Sequence, residues 1–237
     1  MEHETSTSTG GKGKDHGLVP VMSIGLFLGR LSFTLMMLAT LLMVALMTNT
    51  HFQPITRQLL NRTGFAPSDL WFGRLERIFT SALVTAGGKV FWEALFMVAF
   101  AVGWAEWRTG WKRTAATFWG VHLLALVLLS LIVSLALHQL RFIGLEASEV
   151  ARDVGPSAGY FGVLGLAIAR LRRPWHLLAG GALFASLVVV LFLPPSLGEN
   201  ARLKFSADLA HLLAFPLGWL SSGLAGKAHG LDRLQPR

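Results

Sequence analysis

The chain contains no cysteine, which excludes disulfides, thiol catalysis and thiolate metal sites. Charge is scarce as well: Asp, Glu, Lys and Arg make up 14% of the residues, against roughly 25% in an ordinary soluble domain. Acidic residues are the rarer sign, 13 against 21 basic, for a net charge of +8. No internal repeat is visible, which argues against an inverted-repeat transporter. No soluble catalytic domain is present either, so any chemistry falls to apolar helices. The first twenty residues, with Ser6-Thr7-Ser8-Thr9-Gly10-Gly11-Lys12, form a polar low-complexity stretch that cannot build a core. They lack the apolar stretch and cleavage pattern of a removable signal peptide, so the first apolar segment is expected to be a retained anchor.

What the chain does have is apolar sequence, 53% of its residues, gathered into long stretches. Leu31–Thr48, Phe91–Ala105, Ala115–Leu137 and Trp175–Leu193 carry almost no charge; the Phe91 stretch, which holds Glu93, is short and extends to Gly87–Trp107. The last two approach the ~20 residues that cross a hydrocarbon layer about 30 Å thick. Ser157–Leu171, rich in small residues, and Ala207–Gly223, apolar after Asp208, complete the set. Any one of these could be the buried helix of a soluble protein, but six together leave no face for water. The expected fold is an all-α membrane protein, a bundle of six transmembrane helices over residues 22–225. A disordered tail, 1–21, and a short tail, 226–237, flank it.

Charge sets the expected orientation. With the first tail in the cytoplasm, the inner segments hold Lys12, Lys14, Arg30, Arg108, Lys112, Arg113, Arg170, Arg172, Arg173, Lys227, Arg233 and Arg237, more than half of the basic residues. This is the bias of the positive-inside rule, and an even number of crossings returns the last tail to the cytoplasm. The excess of positive charge therefore reads as the topology of a multi-pass protein of the cell membrane, in contact with lipid and not with nucleic acid. Between Asn49 and Ala86 lies a long outward connection, amphipathic from Leu70 to Leu83, which suits a helix lying in the interface.

The fourth crossing, about Gly155 to Arg170, is short. Some fifteen residues at 1.5 Å each give ~22 Å, less than the hydrocarbon thickness. Arg170, Arg172 and Arg173 pin its inner end, so its outer end stops below the surface. Irregular backbone at that depth requires a protein-lined or water-filled cavity. An internal, outward-opening cavity is therefore expected at Gly155–Ser157.

Ser157 stands at the top of this helix, and His211 lies about one turn into the sixth crossing, in Asp208-Leu209-Ala210-His211. The topology places both in the outer half of the membrane at similar depth. A serine hydroxyl becomes a nucleophile when a neighbouring base takes its proton, and imidazole is suited to that work near neutral pH. Read from chemistry alone, Ser157 could equally be a helix N-cap and His211 a donor to a neighbouring helix.

Four patches add to this. Gly155-Pro156-Ser157-Ala158-Gly159-Tyr160-Phe161-Gly162-Val163-Leu164-Gly165 resembles the nucleophile helix of the rhomboid family, Gly-x-Ser-Gly followed by an aromatic and further glycines. Asp208-x-x-His211 with Ala214 and Gly218 is similar to the family's last helix. Arg77-Ile78-Phe79-Thr80-Ser81 and Gly103-x-x-Glu106-x-x-x-Gly110 resemble the motifs that precede and end its second crossing.

The resemblance implies a rhomboid-like bundle and a serine-type intramembrane endopeptidase. Ser157 would be its nucleophile and His211 its base, with no acidic third member, metal or organic cofactor. It further implies that Phe161 stacks on the imidazole, that Gly155, Gly159, Gly162, Gly165 and Gly218 support the motif, and that Pro195–Ser206 caps the cavity. The partner would be a membrane-protein substrate. The pattern also departs from the family. The His-x-x-x-Asn of its second crossing, which assists the oxyanion, aligns with Phe91 and Leu95, and Ala158 replaces a glycine. The alternative is a catalytically inactive relative that binds client transmembrane segments and regulates or routes them.

Other residues carry less. Glu93 and His122 could form a proton or ion path in a small transporter, but an interfacial Glu93 and a His122 bonded to a serine or a backbone carbonyl fit as well. Arg30 is placed to snorkel to headgroups. Trp71, Trp92, Trp104, Trp107, Trp111 and Trp175 lie near helix ends, as an aromatic belt would.

Overall fold

The structure, a computed structural model, describes residues 29–142, 152–194 and 201–231. The expected tail 1–21 lies outside that range; of the expected tail 226–237, the first six residues continue the last helix to Leu231 and 232–237 lie outside. The described residues are helical, joined by short irregular segments, with two isolated β-bridges and no strand. In chain order, α1 is Ser32–Thr48, α2 Arg57–Thr63, α3 Pro67–Trp71, α4 Glu76–Leu83 and α5 Lys89–Met97. A π-helical turn, Val98–Val102, leads into α6, Gly103–Thr109. Then come α7, Trp111–Phe142; α8, Ser157–Ala169; α9, Trp175–Phe192; and α10, Ala201–Leu231.

Three helical stretches are long and apolar enough to cross a membrane: Lys89–Thr109, Trp111–Ala136 and Trp175–Phe192. Two shorter apolar helices, α1 and α8, accompany them. The outer faces agree with a lipid surrounding. Met36, Met43 and Met47 on α1, Phe96 and Phe100, and Leu177, Leu178 and Phe192 on α9 are all exposed. Apolar side chains in such bands need a solvent as apolar as themselves.

Local chemistry accounts for most boundaries. α1 starts where the Glu106 carboxylate accepts the N–H groups of Phe33 and Thr34. It ends at Asn49 with φ of 57°, the left-handed conformation that asparagine tolerates. At Gly110, φ of 80° turns the chain sharply from α6 into α7. The π turn keeps Val98, Ala101 and Val102 all fully buried, where α1 and α8 pack against it.

The single amphipathic helix expected over Leu70–Leu83 is instead two, α3 and α4. Gly73 adopts φ of 69°, which stops α3. The Asp69 carbonyl accepts from the Arg74 N–H at 2.9 Å, and its carboxylate draws in Arg77 at 2.8 Å. Trp71, Phe72, Leu75 and Phe79 remain exposed around the break.

At the centre is α8. Its thirteen residues span about 20 Å, and it is wedged between α7 and α10 with small residues at each crossing. A β-carbon on Gly159 would meet the Phe118 ring at 2.5 Å, one on Gly162 the Val121 side chain at 2.6 Å, and one on Gly165 the Phe215 carbonyl at 2.3 Å. On α10, a β-carbon on Gly218 would meet the Gly162 carbonyl at 1.7 Å. The five motif residues thus divide by physical role. Gly165 and Gly218 permit backbone contact between α8 and α10, and Gly159 and Gly162 make room for side chains of α7, whereas Gly155 supplies a conformation, φ of 140°.

Candidate functional site

The strand of chain before α8 is held from three directions. Arg152 pairs with the buried carboxylate of Asp69 and donates to the Gly64 carbonyl at 3.1 Å. Phe65 and Asp153 exchange two backbone hydrogen bonds of 2.9 Å. The Gly155 N–H then donates to the Ser81 carbonyl at 2.7 Å. So α2, α3 and α4 together fix the point where α8 starts. Burial pushes the Asp69 carboxyl upward, but Arg152, the Ala66 N–H and Arg77 outweigh it and hold Asp69 below its ordinary 3.8.

Pro156 occupies the N-cap of α8, so Ser157 is its first helical residue and not its cap. A proline offers no side-chain acceptor. The first intrahelical bond is Tyr160 N–H to the Pro156 carbonyl, 3.0 Å. The N–H groups of Ser157, Ala158 and Gly159 precede it and are the unpaired donors that begin any helix.

Beside this terminus is a cavity of about 250 Å³. Ser157 and Tyr160 line it from α8, Lys204 and His211 from α10, and Glu93 from α5. Asp153 and Thr85 contribute from the connecting segments. The cavity expected from the shortness of the fourth apolar segment is therefore present, with both Ser157 and His211 on its wall.

The His211 ring lies 4.6 Å from the Phe161 ring, centroid to centroid, at 35°. The rings touch but are tilted, where the resemblance implied stacking. His211 Nε2 is buried without a hydrogen-bond partner, so the bond to Ser157 Oγ is not made in this structure. On the other edge of the ring, Nδ1 is 4.0 Å from Asp208 Oδ1. Lys204 in turn bonds Asp208 and donates to the Val190 carbonyl at 2.8 Å.

On its other side Ser157 borders a second void, of about 10 Å³, shared with Ser81, His122 and Asp153. His122 Nε2–H donates to the Ile78 carbonyl at 2.9 Å, the backbone bond weighed for it from sequence. Its Nδ1 is buried without a partner. Glu93 lies at the rim of the larger cavity in a 3.2 Å pair with Lys89. Glu93 and His122 thus border different voids. Asp153 faces both, and burial pushes its carboxyl up to about 6 against the Val154 N–H that it accepts.

Phe91 and Leu95, aligned with the expected oxyanion side chains, are turned away. Phe91 is 1% exposed and packs edge-on to Trp92. Leu95 joins the core beside α1 and borders an apolar groove with Leu38 and Trp92. The α5 face on the cavity is Val90, Glu93 and Ala94. The proposed cap, Pro195–Ser206, is corrected in part: its second half is the opening of α10, and 195–200 lie outside the described residues. Arg30 sits over the Trp107 ring at 5.2 Å.

Sequence reasoning passed over Thr85, Asp153 and Lys204 as parts of this site, and assigned Asp208 to the motif without a role. Only Asp208 had a signal, the three-residue spacing that puts it on the His211 face of the helix. Among the described residues no group of three or more His, Asp or Glu side chains converges as metal ligands. No family model, no curated protein and no solved structure matches this chain.

Proposed function

We propose that the chain is a rhomboid-like intramembrane serine endopeptidase of six crossings with both ends in the cytoplasm. Ser157 is its nucleophile and His211 its general base and acid. The observation that carries this reading is a shared wall: Ser157 and an imidazole backed by Phe161 border one cavity, at the start of a helix too short to span a membrane. The free edge of that imidazole, Nε2, has no other partner to serve.

In the proposed reaction the Ser157 Oγ–H proton passes to His211 Nε2 while Oγ bonds to the scissile carbonyl carbon. The carbonyl π pair moves onto oxygen, which faces the unpaired N–H groups at the start of α8. Collapse expels the amine, which takes the proton from Nε2, and leaves an acyl-Ser157. Water then repeats the sequence and releases the carboxylate. Phe161 holds the imidazole plane through this cycle. Substrates are transmembrane segments that unwind into the cavity.

The second reading, a non-catalytic protein that binds transmembrane segments, has its own observation. No hydrogen-bond donor from the second apolar stretch reaches the cavity, since its lining residues are Val90, Glu93 and Ala94. One lost oxyanion donor lowers rates by roughly 10²–10³, so catalysis here is expected to be slow.

Labelling of the detergent-solubilised chain with a fluorophosphonate separates the two. The expected result is covalent labelling in the wild type that disappears in Ser157→Ala and falls to background in His211→Ala, with cleavage of a transmembrane substrate to match. Folded wild type that neither labels nor cleaves would leave the binding reading in place.

A further inference from the structure

The resemblance read from sequence implies a serine–histidine pair with no acidic member, yet a carboxylate stands behind the histidine. Asp208 and His211 lie three residues apart on α10, and Asp208 Oδ1 is 4.0 Å from Nδ1, the ring nitrogen away from the unpartnered Nε2. Both side chains are largely shielded, with 12% and 17% exposure. Asp208 is itself held: Lys204 bonds its other oxygen, and Lys204 is tied to the Val190 carbonyl at the end of α9.

We propose that Asp208 is a positioning residue that completes a Ser157–His211–Asp208 relay, with Lys204 fixing the carboxylate in place. This rests on the reading of Ser157 and His211 as nucleophile and base.

The physical case is one of tautomer and charge. A neutral imidazole carries one proton, and a carboxylate facing Nδ1 favours its placement there, which leaves the Nε2 lone pair for the Ser157 proton. When Nε2 takes that proton the ring becomes positive, and an opposite charge at this separation stabilises it in a shielded setting. The proton never moves to Asp208. At 4.0 Å the contact is an ion-pair distance rather than a hydrogen bond, so its effect grows as the ring becomes charged.

The surrounding charges leave Asp208 as the partner. Glu93 is paired with Lys89, and Asp153 accepts the Val154 N–H. Tyr160, on the same cavity wall, is neutral. Lys204 is the facing cation, and its pairing with Asp208 moderates the effect without removing it. Among the described residues Asp208 is the carboxylate within ion-pair distance of His211.

The test uses the full chain in detergent and two readouts. The first is the rate at which a fluorophosphonate labels Ser157, a step in which the Oγ–P bond forms, fluoride leaves and the Oγ proton passes to Nε2. Asp208→Asn is expected to label about 10- to 100-fold more slowly, a milder loss than the ~10⁴ of a directly bonded triad aspartate. Asp208→Glu, which restores the charge, is expected to recover most of the rate.

The second readout is the His211 tautomer, from imidazole nitrogen NMR of histidine-labelled protein assigned with His211→Gln. The wild type is expected to carry the proton on Nδ1, and Asp208→Asn to shift population toward Nε2–H. An Nε2–H tautomer in the wild type would overturn the proposal even if Asp208→Asn fails to fold. So would an unchanged labelling rate in a folded Asp208→Asn chain. Wild type that shows the Nδ1–H tautomer but never labels would sink the endopeptidase reading and leave the Asp208–His211 pairing standing.

Discussion

The buried carboxylate of Glu106 and the half-buried imidazole of His211 both sit in polar centres among apolar helices, and the two centres are satisfied to opposite degrees. Glu106, 1% exposed, accepts from Ser32 Oγ at 3.4 Å, Phe33 N at 2.9 Å, Thr34 N at 2.8 Å and Thr34 Oγ1 at 2.6 Å. Asp69 is a second centre of the same kind, with Arg74, Arg77, Arg152 and the Ala66 N–H around one carboxylate. Around Ser157 the reverse holds: the Thr85 hydroxyl, His122 Nδ1 and His211 Nε2 are all buried without partners. A saturated centre has no valence left for a substrate, and serves the fold. Unpaired polar atoms cost stability, and three of them around one serine point to work other than holding helices together.

Glu106→Ala tests the saturated side hardest. It strips acceptors from the first amides of α1 and from Thr34, with an expected loss of roughly 3 kcal/mol in reversible unfolding in mixed micelles. A loss below 1 kcal/mol would show that the four bonds are easily replaced.

Asp69→Asn comes next, at about 2 kcal/mol, because an amide accepts from the arginines more weakly than a carboxylate. It also carries a pH signature. The folded-state value of Asp69 lies below its ordinary 3.8, so its contribution is complete above that value and is lost as the pH falls below it. Acid unfolding curves of wild type and Asp69→Asn should converge there; a constant gap between them would exclude the ion-pair account.

The smallest effect is expected at the unsatisfied centre. Thr85→Val removes a hydroxyl with no partner from a residue 3% exposed. Its stability should match wild type or exceed it by up to ~1 kcal/mol. A clear loss would mean that Thr85 is bonded in solution, and would narrow the contrast between the centres.

Much of the framework was legible in the residues. Leu31–Thr48, Gly87–Trp107, Ala115–Leu137 and Trp175–Leu193 became α1, the α5–α6 stretch, α7 and α9 with shifts of a few residues, because an apolar run bounded by charges admits few other arrangements. The short helix after Pro156 and the cavity beside it followed from the length of the apolar segment and from the arginines that end it. Other features depended on what lies across a helix face. Phe91 and Leu95 were aligned toward the site, but each residue turns a helix by 100°, and packing of α5 against α1 rotates Val90, Glu93 and Ala94 there instead. The break at Gly73 was hidden because the amphipathic pattern runs through it, and because one arginine of the Asp69 cluster, Arg152, comes from 83 residues away.

Sequence by itself determined that this is an apolar helical protein and which residues could be nucleophile and base, because burial in lipid is written into composition and reactivity into residue type. The three stretches able to cross a membrane, the glycines on α8 and α10, and Ser157 and His211 can all be read in one dimension. Tertiary structure alone decided that Thr85, Asp153 and Lys204 border the same cavity as Ser157, and that Nε2 of His211 is left free. Those are relations between side chains on separate helices and loops, set by helix rotation and by how closely glycines let α8 and α10 approach.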